Sequence, residues 1–381
     1  MKLHRKFASR MACAAAMFAG TVFAQTAPEQ FVVSGKNAEK IQDFTTINMA
    51  TAERLAEVCE AAAAKEGVQI SVIVLDNDGN QVYFDRMDGQ GYLNIITADM
   101  KARTALMLRS PSKILMNNVI EDQTRELQYI QLNEFANSGG LPIVVNKQMI
   151  GAIGVGGSAP RVPVWSDEIC AHRALTEVIG ASVPPLEKDV PAKPNPNPAN
   201  APMPRFAVAN PPKSTLSTPD WAISGKAASS VFDGNQLSLA TAKKIAKVCR
   251  DFAAAKGFST SIFILDTAGE YIHMERMDGQ VFNNIRTALL KGQTALKMRQ
   301  PTSAIGAGLR NNPSLIARQT TYFDLFTNSG GLPIVVDGQM VGAIGVGGMP
   351  GGNDEPCAIE GLKAAFGDHV TVPVYPAAAA R

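Results

Sequence analysis

The 381-residue chain carries one set of motifs twice. Arg86–Gln90 (RMDGQ) recurs at Arg276–Gln280, and Ala52–Cys59 (AERLAEVC) is matched by Ala242–Cys249 (AKKIAKVC). Ser34–Lys36 (SGK) returns at Ser224–Lys226, and all three pairs keep an offset of 190 residues. Asn137–Val145 (NSGGLPIVV) recurs at Asn328–Val336 and Gly151–Gly157 (GAIGVGG) at Gly342–Gly348, with the offset now 191. Solenoid repeats run to roughly 20–50 residues, so a period this long is a tandem duplication of one domain. Each copy, of about 150 residues, is long enough to bury a core of its own.

Between the copies, residues 183–220 hold eleven of the chain's 23 prolines, including the run PAKPNPNPANAPMP. Proline removes backbone donors and favours extended polyproline geometry, so this reads as a semi-rigid exposed linker between domains at 31–182 and 221–375. The alternative, a proline-rich ligand for an SH3-type groove, fits the Asn-Pro alternation poorly.

The first 24 residues have the form of a secretory signal peptide: Lys2, Arg5, Lys6 and Arg10, then a short apolar run, then Val22-Phe23-Ala24. The apolar run falls short of the roughly 20 residues that span a bilayer, which argues against an anchor. The full chain has 36 basic and 34 acidic residues, a formal charge of +2. Cleavage near Ala24 removes four basic residues and turns the balance slightly acidic. No basic footprint for nucleic acid or anionic membrane remains, no membrane span follows the leader, and the expected location is periplasmic or secreted.

Within each copy the pattern gives an Ala-rich amphipathic helix (51–65, 241–256), then two apolar runs around Asp78-Gly79 or Ala268-Gly269. A second helix (94–108, 284–298) stops before Pro111 or Pro301, and a less regular stretch leads to NSGG. A second hairpin turns at Asn146-Lys147 or Asp337-Gly338, and a closing helix (167–179, 354–366) has Asp167 or Asp354 as its expected N-cap. Two-residue turns join antiparallel strands, so the fold class is α+β, a mainly antiparallel sheet with packed helices in each of two tandem domains. The glycine clusters fit neither a P-loop nor a dinucleotide fingerprint. Gly139-Gly140 and Gly330-Gly331 read as turns needing positive φ, or as places where backbone approaches a ligand or partner.

Several residues carry candidate chemistry. Asn94, Thr97, Lys101 and Thr104 lie on one helical face, and Asn284, Thr287, Lys291 and Thr294 repeat the stripe. A solvated face shared by two diverged copies would have scrambled, so the stripe points to a ligand or an interface. Arg86 and Arg276, each two residues before an Asp, either clamp a carboxylate or pair locally to fix the turn. Histidine is scarce and no histidine recurs between copies, so no duplicated His-based catalytic apparatus exists. His273 aligns with Tyr83; both residue types ligate haem iron, and both also occur as ordinary strand residues. Cys59 and Cys170, with Cys249 and Cys357, give each copy one pair, either disulfides of an oxidising compartment or buried free thiols.

The order of these elements resembles the GlcG/HbpS family of haem-binding proteins, related to the PduO C-terminal domain. The shared pattern is an Ala-rich helix, a strand ending in Asp, RMDG, a K-A-x-T-A helix, SGGLPI, GAIGVGG, then DEICAHRA or DEPCAIEG. It covers nearly all of both copies and neither leader nor linker. The resemblance implies a profilin-like fold, haem or a related tetrapyrrole as cofactor, and oligomerisation, with the tandem chain itself a pseudo-dimer. It makes Arg86, Lys101 and Arg109, with Arg276, Lys291 and Arg299, available to the propionates, and Thr104 and Thr294 to the macrocycle or iron. Lys291-Gly292-Gln293 departs from the helix motif kept at Lys101-Ala102-Arg103. Storage, transport or sensing of a tetrapyrrole is the leading expectation. The rivals are an enzyme acting on small organic acids or degrading haem, and a structural partner module.

Overall fold

The computed structural model describes residues 29–33, 37, 46–157, 164–180, 183–191, 221–223, 236–309 and 323–373. The expected signal peptide, the SGK repeats and the linker from residue 192 onward lie outside these. In the first copy the order is α1 (Met49–Lys65), β1 (Ser71–Asp76), β2 (Gln81–Arg86), α2 (Leu93–Leu108), α3 (Lys113–Glu121), α4 (Arg125–Gln131), β3 (Gly140–Val145), β4 (Gln148–Gly156) and α5 (Asp167–Val178). The second copy follows with α6 (Leu239–Ala255), β5 (Ser261–Leu265), β6 (Tyr271–Arg276), α7 (Phe282–Met298), α8 (Thr302–Leu309), β7 (Gly331–Val336), β8 (Gln339–Gly347), α9 (Asp354–Phe366) and β9 (Val370–Thr371). The stretch read as less regular therefore holds short helices, α3 and α4 in one copy and α8 in the other.

Local chemistry accounts for the boundaries. Asn146 and Lys147 both have positive φ, 49° and 68°, as a tight hairpin turn matching strand twist demands. The closing helix α5 is capped by Ser166, whose side chain accepts from Ile169 N, and not by Asp167. The same correction applies to α9, where Asn353 holds the N-cap position and Asp354 begins the helix. In both copies the aspartate is released for another role, described below.

All strand pairs are antiparallel, and β2 pairs with β6 to join the copies into one nine-stranded sheet, β3-β4-β1-β2-β6-β5-β8-β7-β9. The α+β arrangement expected from the turns is thus built twice and fused edge to edge. Fusion removes one exposed edge from each copy, the edge that would otherwise template aggregation. Strand alternation sorts the side chains to two faces. On one face Tyr83 packs with α1 and α5 residues such as Leu55 and Ala171. On the other, Phe84 and Met274 join Ile73, Leu75, Phe263 and Leu265 under Ala98 and Ala102 of α2 and Ala288 of α7, one apolar cluster shared by both copies.

The RMDGQ motif supplies the polar part of the junction. Arg86 Nη2 donates to Asp266 Oδ2 of the other copy at 2.8 Å, and Arg276 Nη2 donates to Asp76 Oδ2 at 2.9 Å. Asp88 Oδ1 accepts from Leu239 N, and Asp278 Oδ1 from Met49 N, each at 2.8 Å. Each copy's aspartate therefore sits on the first turn of the other copy's leading helix, where a negative charge is stabilised by exposed N–H groups. The reading of the Arg-x-Asp pattern as a local pair does not survive, because arginine and aspartate each bond a partner in the opposite copy.

Each cysteine pair is joined, Cys59 to Cys170 and Cys249 to Cys357, tying the first helix of each copy to its last.

Candidate functional site

The polar stripe of α2 and α7 faces inward, onto the glycine-rich ends of the second hairpin. A Cβ at Gly154 would strike Ala98 O, and one at Gly140 would strike Lys101 O, so these glycines let α2 lie directly on β3 and β4. Of the paired glycines only Gly139 and Gly330 need positive φ, at 121° and 123°; Gly140 and Gly331 serve close packing.

Lys101 Nζ donates to Asp167 Oδ2 at 2.7 Å and to Val155 O at 3.0 Å, and it is 3% exposed. Lys291 repeats this with Asp354 Oδ2 at 2.7 Å and Val346 O at 2.9 Å. A Cβ at Gly139 or Gly330 would run into this ion pair, which gives the NSGG motif its physical meaning. Thr104 Oγ1 accepts from Phe135 N, and Thr294 Oγ1 from Phe326 N, each at 2.8 Å, so both threonines anchor the loop that leads to NSGG. Asn94 and Asn284 donate to Gln90 and Gln280 at the start of their helices. The stripe is a hydrogen-bonded seam, which explains its persistence without a solvated face.

In the second copy this seam borders open space. A cavity of about 580 Å³ is lined by Lys291, Ser303, Asn328, Ser329, Met349 and Asp354 among others. A second, of about 360 Å³, shares Lys291, Asn328, Met349 and Asp354 and adds Asn283, Asn284, Thr287 and Phe326. Both fall within the roughly 300–1,000 Å³ typical of small-molecule sites. Asn284, Thr287 and Lys291 of the expected set thus meet here. Sequence reasoning missed Asn283, Ser303, Asn328, Ser329, Met349 and Asp354. The signal for Asn328 and Ser329 is the NSGG repeat itself, in which both recur beside the glycines.

The remaining expected residues lie elsewhere. Arg86 and Arg276 are buried in the junction. Arg109 and Arg299 end their helices in the left-handed conformation, φ 54° and 53°, with exposed side chains. Tyr83 and His273 lie on the opposite face of the sheet from α2 and α7, both fully buried, with ring centroids 5.3 Å apart. His273 Nδ1 is 2.6 Å from Asp85 Oδ1 and its Nε2 is 3.4 Å from Glu275 Oε2. Burial alone disfavours the imidazolium, but Asp85 and Glu275 outweigh it and push His273 up to about 9. An imidazolium with both nitrogens turned to carboxylates has no lone pair for iron. Among the described residues no group of three or more His, Cys, Asp and Glu forms a metal site, and no helix is long and apolar enough to cross a membrane.

Comparison with known proteins matches the same two regions. The family model for haem degrading protein HbpS-like covers residues 47–176 and 237–363. An uncharacterized 15.0 kDa protein of the dhaT-dhaS intergenic region of Citrobacter freundii is 31% identical over 140 residues, 36% of this chain and 94% of that protein. Protein GlcG of Escherichia coli K12 is 32% identical over 93 residues, 24% of this chain and 68% of that protein. Among solved structures, Klebsiella pneumoniae protein ORFY is 25% identical, covering 34% of this chain and 90% of that one with a TM-score of 0.32. A double mutant of Streptomyces reticuli HbpS is 26% identical, covering 42% and 97% with a TM-score of 0.33. Since the two matched regions span most of the chain, the protein belongs to the GlcG/HbpS family and carries two tandem copies of its domain.

Proposed function

We propose that the protein is an exported tetrapyrrole-binding protein whose ligand is haem, held beside the polar seam of α7. The observation that carries this reading is the adjoining pair of cavities on Lys291 and Asp354, in a domain matched by a family described as haem degrading. The lining fits the group. Asn283, Asn284 and Asn328 offer amide donors to propionates, Phe326 and Pro350 offer apolar surface, and Met349 is a soft side chain of the kind that ligates haem iron. Haem when bound supplies a redox-active iron; the chain's own residues bind and orient it. Lys291 fixes Asp354 and the strand end behind the site, since its ammonium is already shared with Val346 O.

Export is supported by the leader-like first 24 residues and by the two disulfides, which persist in oxidising compartments. Further oligomerisation is supported by exposed apolar side chains on α2 and α4, among them Leu93, Ile96, Leu127 and Ile130. Domain limits at 31–182 and 221–375, with a linker at 183–220, complete the reading.

Titration of haemin into the purified protein tests it: a saturable Soret shift at micromolar haemin is expected. Absence of a shift from folded protein rejects it. A second reading, haem degradation, is favoured by the family description alone. It predicts loss of the Soret band over time when a reductant or peroxide is added to the complex.

A further inference from the structure

The two copies differ at the place where the second one opens. Lys113, on α3, corresponds to Ser303 on α8, Met116 to Gly306, and Ala136 to Thr327. In the second copy Ser303 and Ser329 donate to Glu355 at 2.8 and 2.7 Å, and the cavity lies in front of them. In the first copy the long Lys113 side chain, 7% exposed, reaches Glu168 at 3.2 Å.

The same ammonium holds a piece of the interdomain segment. Lys113 Nζ donates to Glu187 O at 2.7 Å and pairs with Asp189 Oδ1 at 2.7 Å. Asn117 Nδ2 donates to Lys188 O at 2.9 Å, and Glu187 N donates to Glu168 Oε1 at 3.4 Å. The chain leaving α5 therefore crosses back over α3. After α9 it takes another course: β9 pairs with β7 at the sheet edge, Val336 opposite Val370. Among the described residues, which end at 373, none lies on the second site as Glu187–Asp189 lie on the first.

We propose that Glu187–Asp189 form a strap that closes the first copy's counterpart of the cavity, so that the chain binds one ligand, in its second copy. The ligand's identity rests on the function proposed above; the strap rests on these contacts alone. A strap tethered a few residues beyond α5 acts at an effective concentration in the millimolar range, so an external ligand meets a strong internal competitor. Lysine supplies the cation that captures it, and serine at the corresponding position cannot.

Two measurements on the full chain test this. The first is the number of haemin equivalents bound at saturation: one for the parent, and two for the triple variant Glu187→Gly, Lys188→Ser, Asp189→Gly, whose changes spare the core. Lys113→Ser, which installs the second copy's residue, should also give two. The second is hydrogen exchange of the Glu187 amide, expected to be slow in the parent and at least tenfold faster in Lys113→Ser. Two equivalents in the parent, or free exchange at Glu187, overturns the strap. Slow exchange in the parent, released by Lys113→Ser, supports the strap even where no haemin binds, an outcome that rejects only the ligand.

Discussion

The Arg86 guanidinium and the Asp266 carboxylate, 180 positions apart in sequence, meet at 2.8 Å in the junction, each with a side chain 2% exposed. The pseudo-symmetric Arg276–Asp76 contact, at 2.9 Å, makes the pair reciprocal. Asp266 also holds its own turn, accepting from Ala268 N and Glu270 N. Removing the arginine leaves a buried carboxylate uncompensated, which typically costs about 3–5 kcal/mol. Arg86→Leu should lower the urea midpoint accordingly, and Arg276→Leu should do the same. A loss under about 1 kcal/mol for both would show that the junction does not depend on these pairs.

The leading helices meet across the junction with acidic side chains of α1 opposite basic side chains of α6, the Lys243 charge being balanced by Asp85 at 2.7 Å. Glu53 and Glu60 of α1 face Arg250 and Lys243 of α6, with Arg250–Glu53 at 3.3 Å and Lys243–Glu60 at 3.0 Å. Position 53 corresponds to 243 and 60 to 250. Pairing two first copies would oppose glutamates, and pairing two second copies would oppose cations. Heterotypic pairing is thus favoured over either homotypic one. The double variant Lys243→Glu, Arg250→Glu should unfold at least 2 kcal/mol more easily. Adding Glu53→Lys and Glu60→Arg should restore most of that loss, because pseudo-symmetry returns Asp85 and Glu275 to equivalent surroundings. Failure of the fourfold variant to recover would reject charge complementarity as the source.

Tyr83 is buried beside these charges, and its hydroxyl finds no hydrogen-bond partner among the described residues. Leaving such a group unpaired costs about 1–3 kcal/mol. Tyr83→Phe should therefore be neutral or stabilising by about 1 kcal/mol in thermal or urea unfolding. A clear destabilisation would show that the hydroxyl is satisfied in solution.

Most of the fold was legible because its signals are local. The turn at Asn146-Lys147, the apolar runs of β1 and β2, and the repeat itself lie within short windows, and the structure follows them. The site was less legible because its contacts are not local. Lys101 meets Asp167 across 66 residues, and a side chain at a helix start reads as a cap until its partner is known. The stripe of α7 was visible, but whether it faces solvent, a ligand or its own sheet depends on the glycines opposite. The charge exchange was open to inspection: AERLAEVC against AKKIAKVC already shows glutamate replaced by lysine at 53 and 243. What it meant required knowing that α1 and α6 face each other.

The same buried cluster makes stability depend on pH. Burial, and then the neighbouring Asp85 charge, push Glu60 up to about 9, while Asp85 and Glu275 raise His273 to about 9 against the effect of burial. Asp85 itself is held below the usual carboxylate range: its burial is outweighed by His273 and Lys243. Between an unfolded histidine value of about 6.5 and the folded value of about 9, the folded state therefore binds more protons than the unfolded one. Stability must then fall as pH rises through this window, by up to about 1.4 kcal/mol per pH unit for each proton retained. The histidine contribution is complete below about pH 6.5 and gone above about 9. Urea midpoints between pH 6 and 9.5 should decline steadily in the parent. His273→Gln should flatten the profile by about one proton, leaving the slope of about one proton due to Glu60. An unchanged slope in that variant would remove His273 from the account.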